Sequence, residues 1–385
     1  MSQFPFFPRE EYDLRLQAVR KSMQAENLDG CLITVPESIY YLTGINHWGY
    51  FATHILIVTP ANEMILVARA MEQVTMDLQL TNARFAGYGD LEDPAAVTVA
   101  ILKKEGLDRG RMGIEKKGLY LPLDISEGIL KNMPQVEWID ASQLMLYQRE
   151  ALSSNEIAYM QKAAAITDNM MSAAIETAAE GVSEQDVAAE VHSAMIQAGG
   201  EFPAFGPFIR STPTLGLEHG TWTDRKLESG DALFVELSGC AARYHAPMGR
   251  LIFVNEAPAG TEEMAQICIE AFENVTATIR PGVTATEVYQ SWQDRVDAAG
   301  LGHYRRHHCG YMVGSAFPPA WSGGGVPRGL RHNSDMQLRA GMVFHLLSWL
   351  MHTGQPGDYF ISDSVLVTPD GCEKLTSLRQ QVHVV

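Results

Sequence analysis

The sequence predicts an α+β fold in two domains, residues 1–150 and 151–385. Three observations support this: helical and strand patterns alternate in the first 150 residues, the periodicity lapses near residue 150, and one helix pattern occurs twice in the second half. The chain has 385 residues, of which 46% are hydrophobic and 19% charged. It therefore has enough apolar material for more than one core.

The first domain has the pattern of an α/β layer structure. A stretch from Arg9 to Glu26 has the amphipathic spacing of a helix. Short apolar runs of strand length follow it and predict strands. These runs are Cys31–Val35, Ile55–Val58, Met64–Val67, Arg84–Tyr88 and Met112–Glu115.

The second domain begins with a helix signal and contains a repeat. Ser153 and Glu156 have the spacing of a capping box, and a long stretch rich in Ala and Met follows them. Farther on, one helix-start pattern occurs twice with identical spacing, which predicts an internally duplicated α/β domain. The two copies are Gly181-Val182-Ser183, Asp186 and Gly199, and Gly282-Val283-Thr284, Glu287 and Gly300.

Charge and cysteine content narrow the class of protein. The formal net charge of −17 at pH 7 repels phosphate backbones and anionic lipids, so neither nucleic-acid nor membrane partners are expected. No apolar run reaches membrane-spanning length and the first residues are acidic, which predicts a cytoplasmic protein. The cysteines are odd in number and scattered, as expected for reduced thiols. They are Cys31, Cys240, Cys268, Cys309 and Cys372.

Several motifs in order along nearly the whole chain resemble the creatinase/aminopeptidase P/prolidase superfamily. The resemblance implies an N-terminal creatinase/prolidase-like domain, a C-terminal catalytic domain of the pita-bread fold with a curved antiparallel sheet, and a homodimer. The motifs are Ser38-Ile39-Tyr40-Tyr41-Leu42-Thr43-Gly44, Gly230-Asp231-Ala232-Leu233-Phe234-Val235, Gly341-Met342-Val343-Phe344 and Asp363-Ser364-Val365-Leu366-Val367.

Metallopeptidases of this superfamily bind two metal ions through two Asp, one His and two Glu. A single carboxylate cannot assemble a dinuclear site, so neither a metal nor another cofactor is expected in this chain. The five matching positions are Glu236, Pro247, Tyr311, Leu347 and Ser362.

Creatinase, a member of the superfamily, hydrolyses a C–N bond without metal. His219 lies at the position of its catalytic histidine, and an imidazole can take a proton from water and later protonate a leaving nitrogen. Arg331 lies where creatinase holds its substrate carboxylate. The alternative interpretations are a loop histidine without a role and a surface arginine. Creatinase's two catalytic glutamates correspond here to Gly249 and Ile361.

A further set of motifs resembles ectoine hydrolases, which open a cyclic amidine on the same scaffold. Trp48-Gly49-Tyr50-Phe51 resembles the aromatic loop of that branch, which predicts either cation–π cover for a planar cation or rings that pack under the loop. The acidic residue that ectoine hydrolases carry near the last strand corresponds to Phe360. The other shared motifs are Glu236-Leu237-Ser238-Gly239-Cys240, Arg243-Tyr244-His245, Pro247, Arg250, Gly310-Tyr311, Gly314, Phe317-Pro318-Pro319-Ala320-Trp321 and Phe344-His345.

The sequence therefore predicts a metal-independent hydrolase of a non-peptide C–N bond in a small zwitterion. Two alternatives stay open: an Xaa-Pro dipeptidase-like enzyme, and a non-catalytic pita-bread binding protein. Two further motifs give weak signals, a His303/His307 pair that could bind metal on a helix and a Gly323-Gly324-Gly325 loop. The predicted catalytic residues are His219, Glu236 and Tyr311, and the predicted substrate-binding residues are Trp48, Tyr50, Phe51, Trp222, Tyr244, His245, Trp321, Arg331, His345 and Asp363.

Overall fold

The structure is a computed structural model that describes residues 5–323 and 328–385. The chain divides into two compact units, Met1–Glu150 and Ala151–Val385. Gly324 and Gly325 of the glycine-rich loop lie outside the described residues. Within the described ranges, no helix is long and apolar enough to cross a membrane.

The first unit is built on a six-stranded mixed sheet with the strand order β4-β3-β2-β1-β5-β6. Each apolar run predicted from the sequence overlaps one of its first five strands, and the predicted first helix is confirmed. Residues of the sheet and of α4 and α5 form one apolar core. The elements are α1 Arg9–Ala25, β1 Gly30–Ile33, α2 Pro36–Thr43, β2 Ile55–Val58, β3 Met64–Arg69, α3 Gln73–Gln79, β4 Ala83–Tyr88, α4 Pro94–Lys104, β5 Gly110–Ile114, α5 Leu123–Asn132, β6 Val136–Asp140 and α6 Ser142–Arg149.

The duplication predicted in the second unit is confirmed by its helices. Ser183 and Thr284 each cap a 14-residue helix, and both capping boxes are complete. Gly181 and Gly282 precede the caps with φ of 84° and 88°, a left-handed conformation that glycine adopts without strain. The helices form the pairs α7 Ser154–Thr177 with α8 Glu184–Gln197, and α9 Thr261–Thr278 with α10 Ala285–Ala298.

The strands of the second unit form the curved antiparallel sheet of a pita-bread domain, as predicted. Its main order is β12-β13-β14-β11-β8-β7, with β15 on β14 and β16 parallel to β11, while β9 and β10 form a separate hairpin. The strands are β7 Phe208–Ser211, β8 Ala232–Leu237, β9 Cys240–Ala241, β10 Tyr244–His245, β11 Met248–Phe253, β12 Gly310–Met312, β13 Val343–Leu350, β14 Tyr359–Val367, β15 Cys372–Lys374 and β16 His383–Val384.

The sheet has two different faces because successive side chains of a strand point in opposite directions. On one face, Ile209, Val235 and Leu237 pack in an apolar core with α7 and α8. Strand register aligns a row of residues on the other face, from Phe208 through Glu236, Gly249 and Ser362 to Leu347. This second face carries the polar residues of the candidate site.

Candidate active site

A chain of hydrogen bonds crosses the second face of the sheet. The indole Nε1–H of Trp321 donates to the hydroxyl oxygen of Tyr311 at 2.9 Å, and that hydroxyl lies 2.9 Å from His345 Nδ1. His345 Nε2 lies 2.7 Å from Ser362 Oγ. The chain can form with Tyr311 donating to Nδ1 and the Nε2–H of His345 donating to Ser362, or with Ser362 donating to Nε2 and the Nδ1–H donating to Tyr311. In either arrangement both ring nitrogens of a neutral His345 are hydrogen-bonded.

Burial keeps this chain uncharged. It lowers the pKa of His345 to about 3, with a smaller contribution from nearby His308. Burial also raises the pKa of Tyr311 well above its ordinary value, and the charge of Glu236 acts in the same direction. Tyr311 and His345 are thus a neutral hydrogen-bonding pair at physiological pH, suited to positioning groups.

Glu236 is the carboxyl group beside this chain. Its Oε1 atom is buried, makes no hydrogen bond within residues 5–323 and 328–385, and lies 3.8 Å from His345 Nε2. Burial raises the pKa of Glu236 to about 7, opposed by the charges of Arg210 and Arg306 and assisted by that of Glu218. A carboxyl with this pKa exchanges a proton near neutrality, as a general acid–base group must.

Aromatic rings form a wall next to Glu236. Phe208 pairs directly with Glu236 across the strands, and its ring lies 5.7 Å from Trp321 and 4.7 Å from Phe205, centroid to centroid. His219 lies 5.6 Å from Phe208. It is exposed, in a turn with a left-handed φ of 57°. His219 therefore lies at the solvent side of the wall that has Glu236 at its base.

The structure brings five of the predicted residues into one region. His219, Glu236, Tyr311, Trp321 and His345 are joined by the hydrogen bonds and ring contacts described above. Arg331 lies close by, because its charge helps to lower the pKa of His308, whose ring packs edge-on against Tyr311.

Four predicted residues are not brought to this cluster. Asp363 follows Ser362 in β14 and so points to the opposite face. There it accepts hydrogen bonds from Arg250, Thr376 and Gln380 and is fully buried. It therefore serves as the buried counter-ion of Arg250, not as the inward-facing group that the sequence suggested.

The other three make their contacts elsewhere in the second unit. The Tyr244 hydroxyl donates to Glu156 Oε1 at 2.7 Å, and His245 Nε2 accepts the backbone N–H of Ala204 at 2.9 Å. Trp222 packs against the apolar core of α7 and α8. These contacts give each residue a structural role.

The predicted aromatic loop belongs to the first unit. Trp48 and Phe51 are exposed, whereas Tyr50 is buried. The Tyr50 ring packs against His47 and His54 at centroid distances of 4.9 and 4.7 Å. Tyr50 therefore packs inside the first unit, and of the three aromatic rings in this loop those of Trp48 and Phe51 are exposed.

Comparison with known proteins matches both units of the chain to family models. The Metallopeptidase family M24 model matches residues 158–369, and the Creatinase/Prolidase N-terminal domain model matches residues 15–151. The chain belongs to metallopeptidase family M24. The resemblance to the creatinase/aminopeptidase P/prolidase superfamily is thereby confirmed.

Two of the proteins similar to this chain are hydrolases of different kinds. An ectoine hydrolase of Halomonas elongata is 26% identical over 98% of both chains. A Xaa-Pro dipeptidase of Pyrococcus horikoshii is also 26% identical, over 96% of this chain and 98% of its own. The crystal structure of a prolidase from Thermococcus sibiricus superposes with a TM-score of 0.86 at 20% identity, covering 97% of this chain and 99% of that chain, which shows the shared fold.

The metal ions that the M24 family name implies do not fit the residues present here. Of the five ligand positions, Pro247 and Leu347 have no donor atom, and Ser362 and Tyr311 are neutral and bonded to His345. Across residues 5–323 and 328–385, no group of three or more His, Cys, Asp or Glu is placed to hold a metal ion. The His303/His307 pair lies in a loop instead of a helix, and His303 Nε2 bonds the carbonyl of Thr353.

Gly249 lies at the position of one catalytic glutamate of creatinase, and in this M24 chain no larger side chain fits there. A Cβ atom on Gly249 would collide with the Phe360 ring and approach Ser362 Oγ to 2.7 Å. Phe360 stacks on Phe234 at 4.9 Å, so the space is occupied by aromatic packing. Glu236 is consequently the carboxyl group on which the site depends.

Sequence reasoning missed several residues around Glu236. Phe205 and Phe208 form much of the aromatic wall, and Arg210 and Arg306 act on Glu236 electrostatically. One signal could have found Arg210: it is a charged residue within the short apolar run that becomes β7.

Proposed function

We propose that the protein is a metal-independent hydrolase of a non-peptide C–N bond, an amidine, guanidine or amide, in a small zwitterion, of the ectoine hydrolase/creatinase type. The observation that supports it is Glu236, a buried carboxyl with an unpartnered oxygen and a pKa of about 7, set beside a neutral hydrogen-bond chain where metallopeptidases hold their ions. The ectoine hydrolase of Halomonas elongata, similar over 98% of both chains, adds support.

The proposed reaction needs two proton transfers. His219, at the exposed end of the aromatic wall, takes a proton from water as its oxygen bonds to the substrate carbon. Glu236, protonated below a pH of about 7, gives its proton to the leaving nitrogen as the C–N bond breaks. The proton on His219 returns to Glu236 through solvent, which completes the cycle.

Other residues position the substrate in this proposal. The hydrogen bond between Tyr311 and His345 holds the polar side of the site in place, and Trp321 and Phe208 provide aromatic faces for a cationic substrate group. The resemblance to creatinase makes Arg331 one candidate ligand of the substrate carboxylate. We also propose a cytoplasmic homodimer without nucleic-acid or membrane partners.

A dipeptidase-like activity is the second candidate, because the Xaa-Pro dipeptidase of Pyrococcus horikoshii is as similar to this chain as the ectoine hydrolase is. It is the weaker one, since the residues at the ligand positions cannot hold the two metal ions of the metallopeptidases. A binding protein without catalysis would retain the fold but has no use for a carboxyl that titrates near neutrality.

A substrate screen tests the proposed function. Thermal-shift measurements with ectoine, hydroxyectoine, creatine, N-acyl diamines and Xaa-Pro dipeptides identify ligands, and amine release from each ligand measures turnover. We expect release from a non-peptide C–N substrate and none from the dipeptides. Binding without turnover would favour the binding protein, and hydrolysis of dipeptides alone would favour the second candidate.

A further inference from the structure

Arg210 differs from the other buried arginines of the described chain. Arg15, Arg243 and Arg250 each have a carboxylate oxygen within salt-bridge distance, at 2.6, 2.7 and 3.0 Å respectively. Arg210 is 3% exposed, and no salt bridge to it is found within residues 5–323 and 328–385. Leaving a buried guanidinium without a counter-ion is costly, so its position requires an explanation.

Local contacts hold Arg210 without neutralising it. Its Nε donates to the carbonyl of Leu215 at 3.0 Å, and its guanidinium carbon lies 3.9 Å from the centre of the Phe234 ring. These contacts fix the plane of the group and leave its Nη donors without a hydrogen-bond partner in the described parts of the chain. The Nη pair is the part of a guanidinium that binds an oxyanion in a fork.

A second unpaired arginine lies over the neighbouring ring. The guanidinium of Arg306 is 4.8 Å from the centre of Trp349, and the rings of Trp349 and Phe234 are 5.5 Å apart. Arg306 is half-buried and likewise has no salt bridge within the described ranges. Its neighbour Arg305, by contrast, is paired with Asp297 at 2.8 Å.

Both arginines face the candidate active site. Arg210 and Phe208 lie on the same face of β7, and Phe234 and Glu236 on the same face of β8, because side chains alternate along a strand. The charges of Arg210 and Arg306 both reach Glu236. Two cations that form no salt bridge within the described ranges thus lie near Glu236 in a protein whose net charge is −17.

We propose that Arg210 and Arg306 together bind the carboxylate of the substrate. This inference rests on the proposed function for its setting, and it assigns the carboxylate to this pair in preference to Arg331. The aromatic faces of Phe234 and Trp349 preorganise the two guanidinium groups, and the bound anion supplies the missing counter-charge. The reacting C–N bond then lies between this pair and the Glu236–His345 region.

Titration with acetate, with acetamide as the neutral isostere, tests the pair without any turnover. Calorimetry on the full chain, with chloride as the balancing anion, is expected to show acetate binding and no acetamide binding. Arg210→Gln and Arg306→Gln are each expected to weaken acetate binding by about 10- to 100-fold, the range for a lost charge-assisted hydrogen bond. Arg305→Gln is the matched control and should bind acetate as the wild type does.

The possible results separate this inference from the proposed function. The inference about the arginine pair is overturned if Arg210→Gln and Arg306→Gln both bind acetate as the wild type does, or if acetamide binds as well as acetate. It is also overturned if only Arg331→Gln loses binding. Each of these results counts against it even if hydrolysis is found. Loss in the pair variants supports it even if no substrate is hydrolysed. If Arg210→Gln does not fold, Arg306→Gln gives the answer on its own, since it should still lose most of the acetate binding.

Discussion

Replacing Glu236 with glutamine is expected to reduce hydrolysis by about 10²- to 10⁴-fold, the usual contribution of a general acid or base. Glutamine keeps the size of the side chain but cannot deliver a proton to the leaving nitrogen. The wild-type rate should fall as pH rises above about 7, where Glu236 ionises. The variant should lose this limb of the profile, which a pH–rate measurement on both proteins would show.

The same substitution should increase stability at alkaline pH. Because burial raises the pKa of Glu236 from 4.5 to about 7, its contribution to folding is fully present below pH 4.5 and is lost as pH rises through about 7. At 1.36 kcal/mol per pH unit, that loss is about 3 kcal/mol, and glutamine avoids it. Chemical denaturation at pH 5 and 8.5 should show the variant gaining stability relative to the wild type mainly at pH 8.5.

Glu184→Gln is the matched control for this stability effect. Glu184 is also buried in the second unit, but its two oxygens accept four hydrogen bonds from Ser211 and Thr223. Glutamine there replaces an acceptor oxygen with a donor and should destabilise the protein at both pH values. If Glu236→Gln behaved in the same way, Glu236 would be a structural carboxylate and the proposed proton donor would be wrong.

His219→Ala is expected to reduce hydrolysis by about 10²- to 10⁴-fold while leaving folding nearly unchanged. The imidazole is exposed and contacts the edge of the aromatic wall, so its removal costs little packing. Amine-release rates measure the first effect and thermal unfolding measures the second. His352 offers a matched control, since it is also exposed and has a left-handed φ of 56°.

His352→Ala should keep wild-type activity, because no step of the proposed reaction uses His352. A His219→Ala protein that unfolds at a much lower temperature but keeps its specific activity would show that the residue is structural. The water-activating role would then have to be assigned to another group.

The elements of the fold could be predicted where local chemistry determines them. Ser183 and Thr284 with their acidic partners specify two helix starts, and both capping boxes form as the spacing requires. The short apolar runs of the first unit became strands because their length and turn residues leave few alternatives.

The inward-facing residues of the sheet could not be predicted in the same way. All nine residues of β14 are buried, so the strand has no alternation of polar and apolar positions from which to infer the faces. Ser362 therefore faces His345 and Asp363 faces Arg250, a choice that only the register of the sheet decides.

Contacts between residues that are far apart in the sequence could not be predicted either. Tyr244 is committed to Glu156, 88 positions away along the chain, and no local pattern signals that bond. The position of Arg210 near the site could not be predicted without the pairing of β7 with β8. That pairing places its guanidinium over Phe234 and its charge close enough to act on Glu236.

The central claim is that hydrolysis proceeds without a metal ion, and amine release by exhaustively chelated protein tests it most directly. The protein is treated with chelators, its metal content is measured by mass spectrometry, and a substrate found in the screen is then added. Unchanged turnover at a metal content far below one ion per chain is the expected result, because Glu236 and His219 perform both proton transfers. Activity that disappears on chelation and returns with manganese or cobalt would contradict the account.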